Sequence, residues 1–140
     1  MDALGKSVLR IHNIQVAMQQ DADPAKGPKT TGSTDMNVGW QLTTQSQSGY
    51  VLANDPSVVS SGSTLTAIDS GSQIINILEI NNVNAAMFTN GYLIAVDELY
   101  LGVDTTADAD QAFTTTLVLE CTVEKMDERA AMALALSQSN

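Results

Sequence analysis

A strict two-residue alternation between Phe113 and Lys125 limits the possible folds of this chain more than any other part of its sequence. Phe, Leu, Cys and Val recur at odd positions, whereas Thr and Glu dominate the even ones. Successive side chains of a strand point to opposite faces, so the pattern predicts a strand with one buried and one wet face. The segment from Met36 to Thr44 alternates in the same way around Val38, Trp40 and Leu42 and predicts a second strand.

The segment from Tyr92 to Val103 is apolar on both faces except at Asp97 and Glu98. It predicts either one buried strand with a bulge at these two acids or two short strands. In a strand the two carboxylates diverge, so they do not form a pair. Asn90-Gly91 precedes the segment and predicts a type I′ hairpin, with Val83 to Phe88 as the partner strand.

Further strands are predicted at Gln73–Ile80, Tyr50–Ala53 and Thr64–Ile68. The N-terminal segment is ambiguous, because some of its apolar residues fit a helical stripe and others alternate. The helical set is Leu4, Val8, Ile11 and Met18, and the alternating set is Ile14, Val16 and Met18. We favour a strand from Ser7 to Gln19, because Val and Ile are frequent there and Gly5 weakens a helix.

Two segments differ from the strands. Residues 21–35 contain Pro24, Gly27, Pro28 and Gly32 without apolar periodicity and predict a flexible loop or arm. Residues 127–138 predict a C-terminal helix, capped by Asp127 and rich in Ala and Leu. The chain, residues 1–140, is therefore expected to be a single all-β domain. The predicted fold is a β-sandwich or jelly roll of six to eight antiparallel strands with a short C-terminal helix.

Charge is distributed very unevenly along the chain. The net charge is −10, and the 95 residues between Lys29 and Lys125 contain eleven acids but no Lys or Arg. Phosphate backbones and anionic lipids are bound through Lys and Arg, so we expect no nucleic acid to bind residues 30–124 and no membrane partner. No signal segment and no apolar run of about 18 residues is seen, which predicts synthesis in a cytoplasm.

The residues suited to catalysis are few. His12 is the single histidine and Cys121 the single cysteine, so a Cys/His zinc site lacks ligands and no intrachain disulfide can form. Cys121 occupies an inward position of its strand and predicts a buried, inert thiol. We therefore expect no enzyme activity and no cofactor.

One short motif points to a different class of function. Ala67-Ile68-Asp69-Ser70-Gly71-Ser72 resembles the hydrophobic-Asp-Ser/Thr-Gly-Ala/Ser loop of aspartic proteases. The resemblance implies a retroviral-type protease, in which a second copy of the chain supplies the second Asp69. It covers six residues, and neither the later hydrophobic-hydrophobic-Gly segment nor a Gly-rich flap of that family is recognisable. As a local pattern, Asp69-Ser70-Gly71 also fits an ordinary turn.

A cluster of acids lies before the last predicted strand. Asp104, Asp108 and Asp110 place three carboxylates within seven residues, and carboxylate oxygens are ligands for Ca²⁺. The central Gly and terminal Glu of the EF-hand loop are absent. The segment predicts a solvated loop with a weak candidate calcium site.

The polar residues indicate a function in assembly. Ser, Thr, Asn and Gln total 44 residues, and they form surfaces that make many neutral contacts at low entropic cost. Low-Lys, Thr/Val-rich β chains resemble virion shell and tail proteins in composition. We expect a structural protein that assembles with copies of itself and other subunits as a capsid or appendage component of a virion. Its predicted interface is the apolar side of the helix, at Met132, Leu134 and Leu136.

The alternative function is a β-sandwich binding module for carbohydrate, with Trp40 as a stacking platform. The alternation of Trp40 with Val38 and Leu42 favours a core position for this ring instead. The two classes differ in their expected particle size, because a shell protein forms large assemblies.

Overall fold

A computed structural model describes residues 7–29, 36–68, 74–84, 89–107, 109 and 111–139. Within these ranges the chain forms seven strands and one helix. In order they are β1 Ser7–Gln20, β2 Met36–Thr43, β3 Val58–Ile68, β4 Ile74–Asn84, β5 Tyr92–Ile94, β6 Tyr100–Thr105, β7 Phe113–Lys125 and α1 Glu128–Ser139.

The strands form two antiparallel sheets that share one core. The first sheet has the order β5-β1-β7 and the second the order β4-β3-β2-β6. Buried apolar residues from both sheets meet in one cluster, made of Ile11, Ile14 and Ile94 from the first sheet and Trp40, Leu42 and Val59 from the second. The fold is therefore sandwich-like, and the predicted all-β class with a C-terminal helix is confirmed.

The strands with the clearest alternation match their predictions. β7 has the predicted bounds, and β2 ends one residue earlier than predicted. The predicted strand at Thr64–Ile68 is the second half of β3, and Gln73–Ile80 corresponds to β4, with residue 73 outside the described residues. These segments could be recognised because one face of each sheet is buried against the other sheet.

A bulge in β1 explains why the N-terminal segment is ambiguous. Ile11 pairs with Cys121 and Asn13 with Glu120, so His12 is an extra residue in the strand. Because of the extra residue, the next inward position after Ile11 is Ile14. This spacing of three residues resembles a helical stripe. The predicted strand is confirmed and extends to Gln20.

The segment from Tyr92 to Val103 forms two short strands that belong to different sheets. β5 pairs with β1, whereas β6 pairs with β2. Asp97 and Glu98 lie in the bend between them. The alternative with two strands is therefore confirmed, and the expectation that these acids sit on opposite faces of one strand is wrong.

The predicted hairpin at Asn90-Gly91 is also wrong. Gly91 does adopt a left-handed conformation, with φ of 68°. However, the strand that follows it pairs with β1, and Val83 pairs with Ser61 in β3. Residues 85–88 lie outside the described residues. Gly91 packs against the carbonyl oxygen of Ile11, so its turn delivers β5 to the edge of β1.

Tyr50–Ala53 is not a strand, contrary to the prediction. It belongs to a connection of residues 44–57, here called the 44–57 loop, which lies on the outer face of the second sheet. This loop is attached to the sheet by side-chain hydrogen bonds and not by backbone pairing. The Tyr50 hydroxyl donates to the Trp40 carbonyl (3.1 Å), and the Gln41 side chain accepts from the Val51 amide (3.1 Å). Gln41 and Thr43 are consequently buried, although their positions alternate with the core residues of β2.

The helix packs on the outer face of the first sheet. Asp127 caps it through a hydrogen bond from the Arg129 amide (2.8 Å), as predicted. Ala131 is buried in a second cluster with Val8 and Ala95, and Leu134 packs against this cluster. The first sheet is therefore covered on both faces near β5.

The part of the predicted arm that the structure describes, residues 21–29, runs as turns beside the end of β1. The Gln20 amide donates to the Lys26 carbonyl (2.8 Å), and the Gln20 side chain donates to the Gly27 carbonyl (3.0 Å). Residues 30–35 lie outside the described residues.

Candidate functional site

The predicted acidic sites fall largely outside the described residues. Asp69, Ser70 and Gly71 are not described, and neither are Asp108 and Asp110. Asp104 is exposed on β6 and accepts a hydrogen bond from the Thr105 amide (2.9 Å). Within the described ranges no group of three or more acid, His or Cys side chains could hold a metal ion. The protease and calcium hypotheses remain predictions.

His12 and Cys121 are separated by the first sheet. His12 is exposed at the bulge of β1, and its Nε2 lies 2.8 Å from the Thr122 hydroxyl oxygen. Cys121 is half-buried and packs against the main core. Burial, and secondarily the charge of Glu120, raises the pKa of the Cys121 thiol. A raised pKa keeps the thiol protonated at neutral pH and therefore weakly nucleophilic.

Arg10 is held by partners within the chain. Its guanidinium forms an ion pair with Glu124 and donates a hydrogen bond to the Asn90 carbonyl. The hydrogen bond from Arg10 lowers the pKa of Glu124. Arg10 and His12 border an open groove of about 880 Å³ beside Leu134. Because the Arg10 charge is already paired, this groove has little capacity to bind an anion.

The three residues of the predicted helix interface have different environments. Leu134 is half-buried against the second cluster, within its own chain. Met132 and Leu136 are exposed. Two of the three side chains are thus available to a partner, and the third stabilises the packing of the helix on the first sheet.

Trp40 is buried, with only 5% of its surface exposed, and it belongs to the main core. It cannot be a stacking platform, so that part of the carbohydrate hypothesis is wrong. Among the described residues the exposed aromatic rings are Tyr50, on the 44–57 loop, and Tyr100, on β6, at 39% and 37%.

These two tyrosines line a groove of about 520 Å³ on the outer face of the second sheet, here called the tyrosine groove. Its walls are β6 and residues 46–50. The lining is neutral except for one carboxylate and consists of Gln41, Thr43, Ser46, Gln47, Ser48, Gly49, Tyr50, Tyr100, Leu101, Gly102, Val103 and Asp104.

The loop wall of the tyrosine groove is fixed to β2. The Gln41 side chain donates to the Gly49 carbonyl (3.4 Å) and accepts from the Val51 amide (3.1 Å). The Tyr50 ring lies on Gly39, where an added Cβ would be 3.0 Å from the ring. Glycine at this position therefore allows the ring to approach the sheet closely.

The opposite wall carries Tyr100. Its hydroxyl donates to a Glu98 carboxylate oxygen (2.7 Å), and this hydrogen bond raises the pKa of Tyr100. A smaller groove of about 330 Å³ lies on the other side of Tyr50, and the two grooves share Tyr50 and Asp104. Sequence analysis missed this site, because its walls come from segments about 50 residues apart.

A second surface of interest is the outward edge of β7. This strand has 13 residues and pairs along its full length with β1. No other described strand pairs with it. Val118, on the outer face, is 59% exposed.

In the described part of the chain no helix is long and apolar enough to span a membrane. Comparison of the chain with protein-family models, with curated proteins and with solved structures gives no match.

Proposed function

We propose that this chain is a structural protein that assembles with copies of itself, as a capsid or appendage component of a virion. The observation that carries the proposal is the outward edge of β7, with which no other described strand pairs. A strand edge presents unpaired backbone N–H and C=O groups, which can form a ladder with a strand from another chain. The proposed occupant of this edge is β7 of a second copy.

β7 lacks most of the features by which monomeric proteins protect a sheet edge. Such edges are usually short, bulged, or marked by Lys and Pro. β7 has 13 residues without Pro, and its one Lys is the last residue, Lys125. The bulge of this strand pair lies in β1, at His12. Of the two acids in β7, Glu124 is already paired with Arg10.

The outer face beside this edge also suits a contact between copies. Val118 is exposed there, and apart from Glu120 the side chains of β1 and β7 around it are neutral. The neighbouring exposed residues are Gln15, Ala17, Gln19, Thr114 and Thr116. Neutral, short side chains lose little conformational entropy and little hydration when a second copy covers them.

The helix offers a further contact through Met132 and Leu136. These two exposed side chains lie outside the second cluster, so a partner can cover them without disturbing the packing of Leu134. Burial of each side chain contributes about 1.5–3 kcal/mol at most. The proposal therefore includes two surfaces, of which the β7 edge is the main one.

The test is sedimentation velocity over a wide range of protein concentration, at moderate and high salt. The wild-type chain is expected to form oligomers whose population rises with concentration. High salt should favour them, because each copy carries a net charge of −10 and salt screens the repulsion. Electron microscopy of the oligomers should show symmetric particles.

The test variant is Val118→Lys, which places a charge beside the edge at an exposed position. It should shift the population to monomer while the far-UV spectrum stays unchanged. The matched control is Leu52→Lys, at an apolar position on the 44–57 loop that is more exposed than Val118, and it should assemble normally. A wild-type chain that stays monomeric at all concentrations, and with co-expressed structural partners, would contradict the proposal.

A further inference from the structure

We propose that the tyrosine groove binds a neutral oligosaccharide. This inference is independent of the assembly proposed above, because the groove lies on the second sheet and the β7 edge belongs to the first. It rests on three observations: the groove is preformed, its exposed rings can stack, and its lining is almost free of charge.

The groove is preformed because side chains fix its loop wall before any ligand binds. The Gln41 side chain makes two hydrogen bonds to the backbone of residues 49–51. The Tyr50 hydroxyl anchors the same loop to the Trp40 carbonyl (3.1 Å). A site built in this way loses little entropy when it binds a ligand.

The chemistry of the walls matches a sugar. Tyr50 and Tyr100 expose more than a third of their surfaces, and the apolar faces of aromatic rings pack against the C–H face of a pyranose ring. Gln41 is occupied by the loop, but the hydroxyls of Ser46 and Ser48 make no hydrogen bond with any described residue. These hydroxyls can donate to and accept from sugar hydroxyls. A few polar groups beside apolar surface are the usual composition of a ligand site.

The charge of the groove selects among polar ligands. None of the residues that line it is Lys, Arg or His, and Asp104 is the one charged residue among them. Phosphate, sulfate and uronate groups need cationic or convergent N–H donors, so the groove disfavours them. A carboxylate accepts hydrogen bonds from neutral sugar hydroxyls, and this makes a neutral saccharide the matching class.

The position of Tyr50 indicates an extended ligand. The smaller groove continues on its other side and also includes Asp104. A chain of several sugar rings can therefore pass across Tyr50 and fill both grooves, whereas a single sugar fills only one.

The experiment is isothermal titration of the full chain with maltohexaose, cellohexaose, xylohexaose and chitohexaose, and with oligogalacturonate as an anionic probe. At least one neutral hexasaccharide should bind, and oligogalacturonate should not. Tyr100→Ala should weaken that binding roughly tenfold or more, because an aromatic anchor is lost. Tyr100→Phe keeps the ring and should retain most of the affinity.

A second variant fills the groove without removing a contact of the fold. An added Cβ at Gly102 meets the Gln41 side chain at 3.4 Å, an ordinary contact distance. The γ-methyl groups of Val extend beyond this Cβ, so Gly102→Val should block binding, and its far-UV spectrum and melting temperature show whether the fold is retained. Leu52→Ser, at an exposed site outside the groove, should bind as the wild type does.

The Val118→Lys variant separates the two proposals, since it should lose assembly and keep the hexasaccharide affinity. The inference is overturned if no neutral hexasaccharide binds at millimolar concentration. It is equally overturned if only oligogalacturonate binds, or if both Tyr100→Ala and Gly102→Val bind as tightly as the wild type.

Discussion

The side-chain carbonyl of Gln138 accepts a hydrogen bond from the backbone amide of Ala95, at 2.8 Å. The NH₂ group of the same side chain donates to the Leu93 carbonyl (2.7 Å). One carboxamide thus bonds to a backbone acceptor in β5 and to the backbone donor of the residue that follows it, as a neighbouring strand would. The backbone carbonyl of Gln138 in turn accepts from the Thr44 hydroxyl (2.9 Å), which connects the end of α1 to the 44–57 loop.

Gln138→Ala should lower the free energy of unfolding by about 1–3 kcal/mol, because buried backbone groups of β5 lose their partner. Urea unfolding followed by circular dichroism measures the change. The control is Ser137→Ala, whose hydroxyl bonds only within the helix, to the Leu134 carbonyl. Equal stability of the two variants would show that water replaces the carboxamide without cost.

Deleting His12 should preserve the fold, because the deletion removes the bulge and makes the inward positions of β1 strictly alternate. Ile11 and Ile14 would then be separated by one residue and would keep their shared face. Deleting Gln15 should instead turn Val16 and Met18 away from the core and cost about 3 kcal/mol or more. Thermal unfolding of the two deletion variants compares them. Similar destabilisation by both would contradict the assigned bulge.

The ion pair between Arg10 and Glu124 should give a stability that depends on acid pH. The pKa of Glu124 is lowered in the folded chain, so the unfolded chain binds the proton more readily. The contribution is therefore present at neutral pH and is lost as the pH falls through the folded pKa.

Glu124→Gln tests this contribution by urea unfolding at several pH values. The variant should be less stable than the wild type near neutrality, and the difference should vanish in acid. Glu120→Gln, on the same strand, is the control and should show no such convergence. A difference between wild type and Glu124→Gln that persists unchanged into acid would rule out the ion pair as its source.

Gly39→Ala should displace the Tyr50 ring and loosen the 44–57 loop, since the added methyl would lie 3.0 Å from the ring. Overpacking of this kind costs about 1–3 kcal/mol. Hydrogen exchange at the Val51 amide should accelerate in this variant. The control is Gly49→Ala, where the added Cβ meets no atom within 4 Å beyond the two neighbouring residues, and where exchange should stay as in the wild type.

Much of the fold could be predicted from local alternation. The apolar residues of β7 and β2 alternate with polar ones and face the core, so the pattern of each strand indicates directly which side the core lies on. β1 was harder to assign, because the extra residue at His12 breaks the two-residue period in the middle of the strand. β5 and β6 appeared as one apolar run, since the sequence does not record that the chain crosses from one sheet to the other between Ile94 and Tyr100.

The candidate sites could not be predicted in the same way. The loop wall of the tyrosine groove depends on single side chains, such as Gln41 and Tyr50, that bond to distant backbone groups. No periodicity marks such residues, and the polar pattern of β2 suggested a wet face where the 44–57 loop lies. Gln138 likewise gave no signal, because a glutamine near a helix end is ordinarily a surface residue.

The two edges of the first sheet differ in their hydrogen bonding, and this difference determines where a second copy can attach. Gln138 bonds to the backbone on the outer side of β5, whereas no described strand pairs with the outer side of β7. Two copies that join through the same β7 edge are related by a two-fold axis. Addition through β7 then stops, because each β7 is paired with the other, and further growth of an assembly would need another surface, such as Met132 and Leu136 on the helix. Joined in this way, the first sheets of two copies form one continuous six-stranded sheet. The product is a dimer, and this sheet does not grow into a fibre through β7.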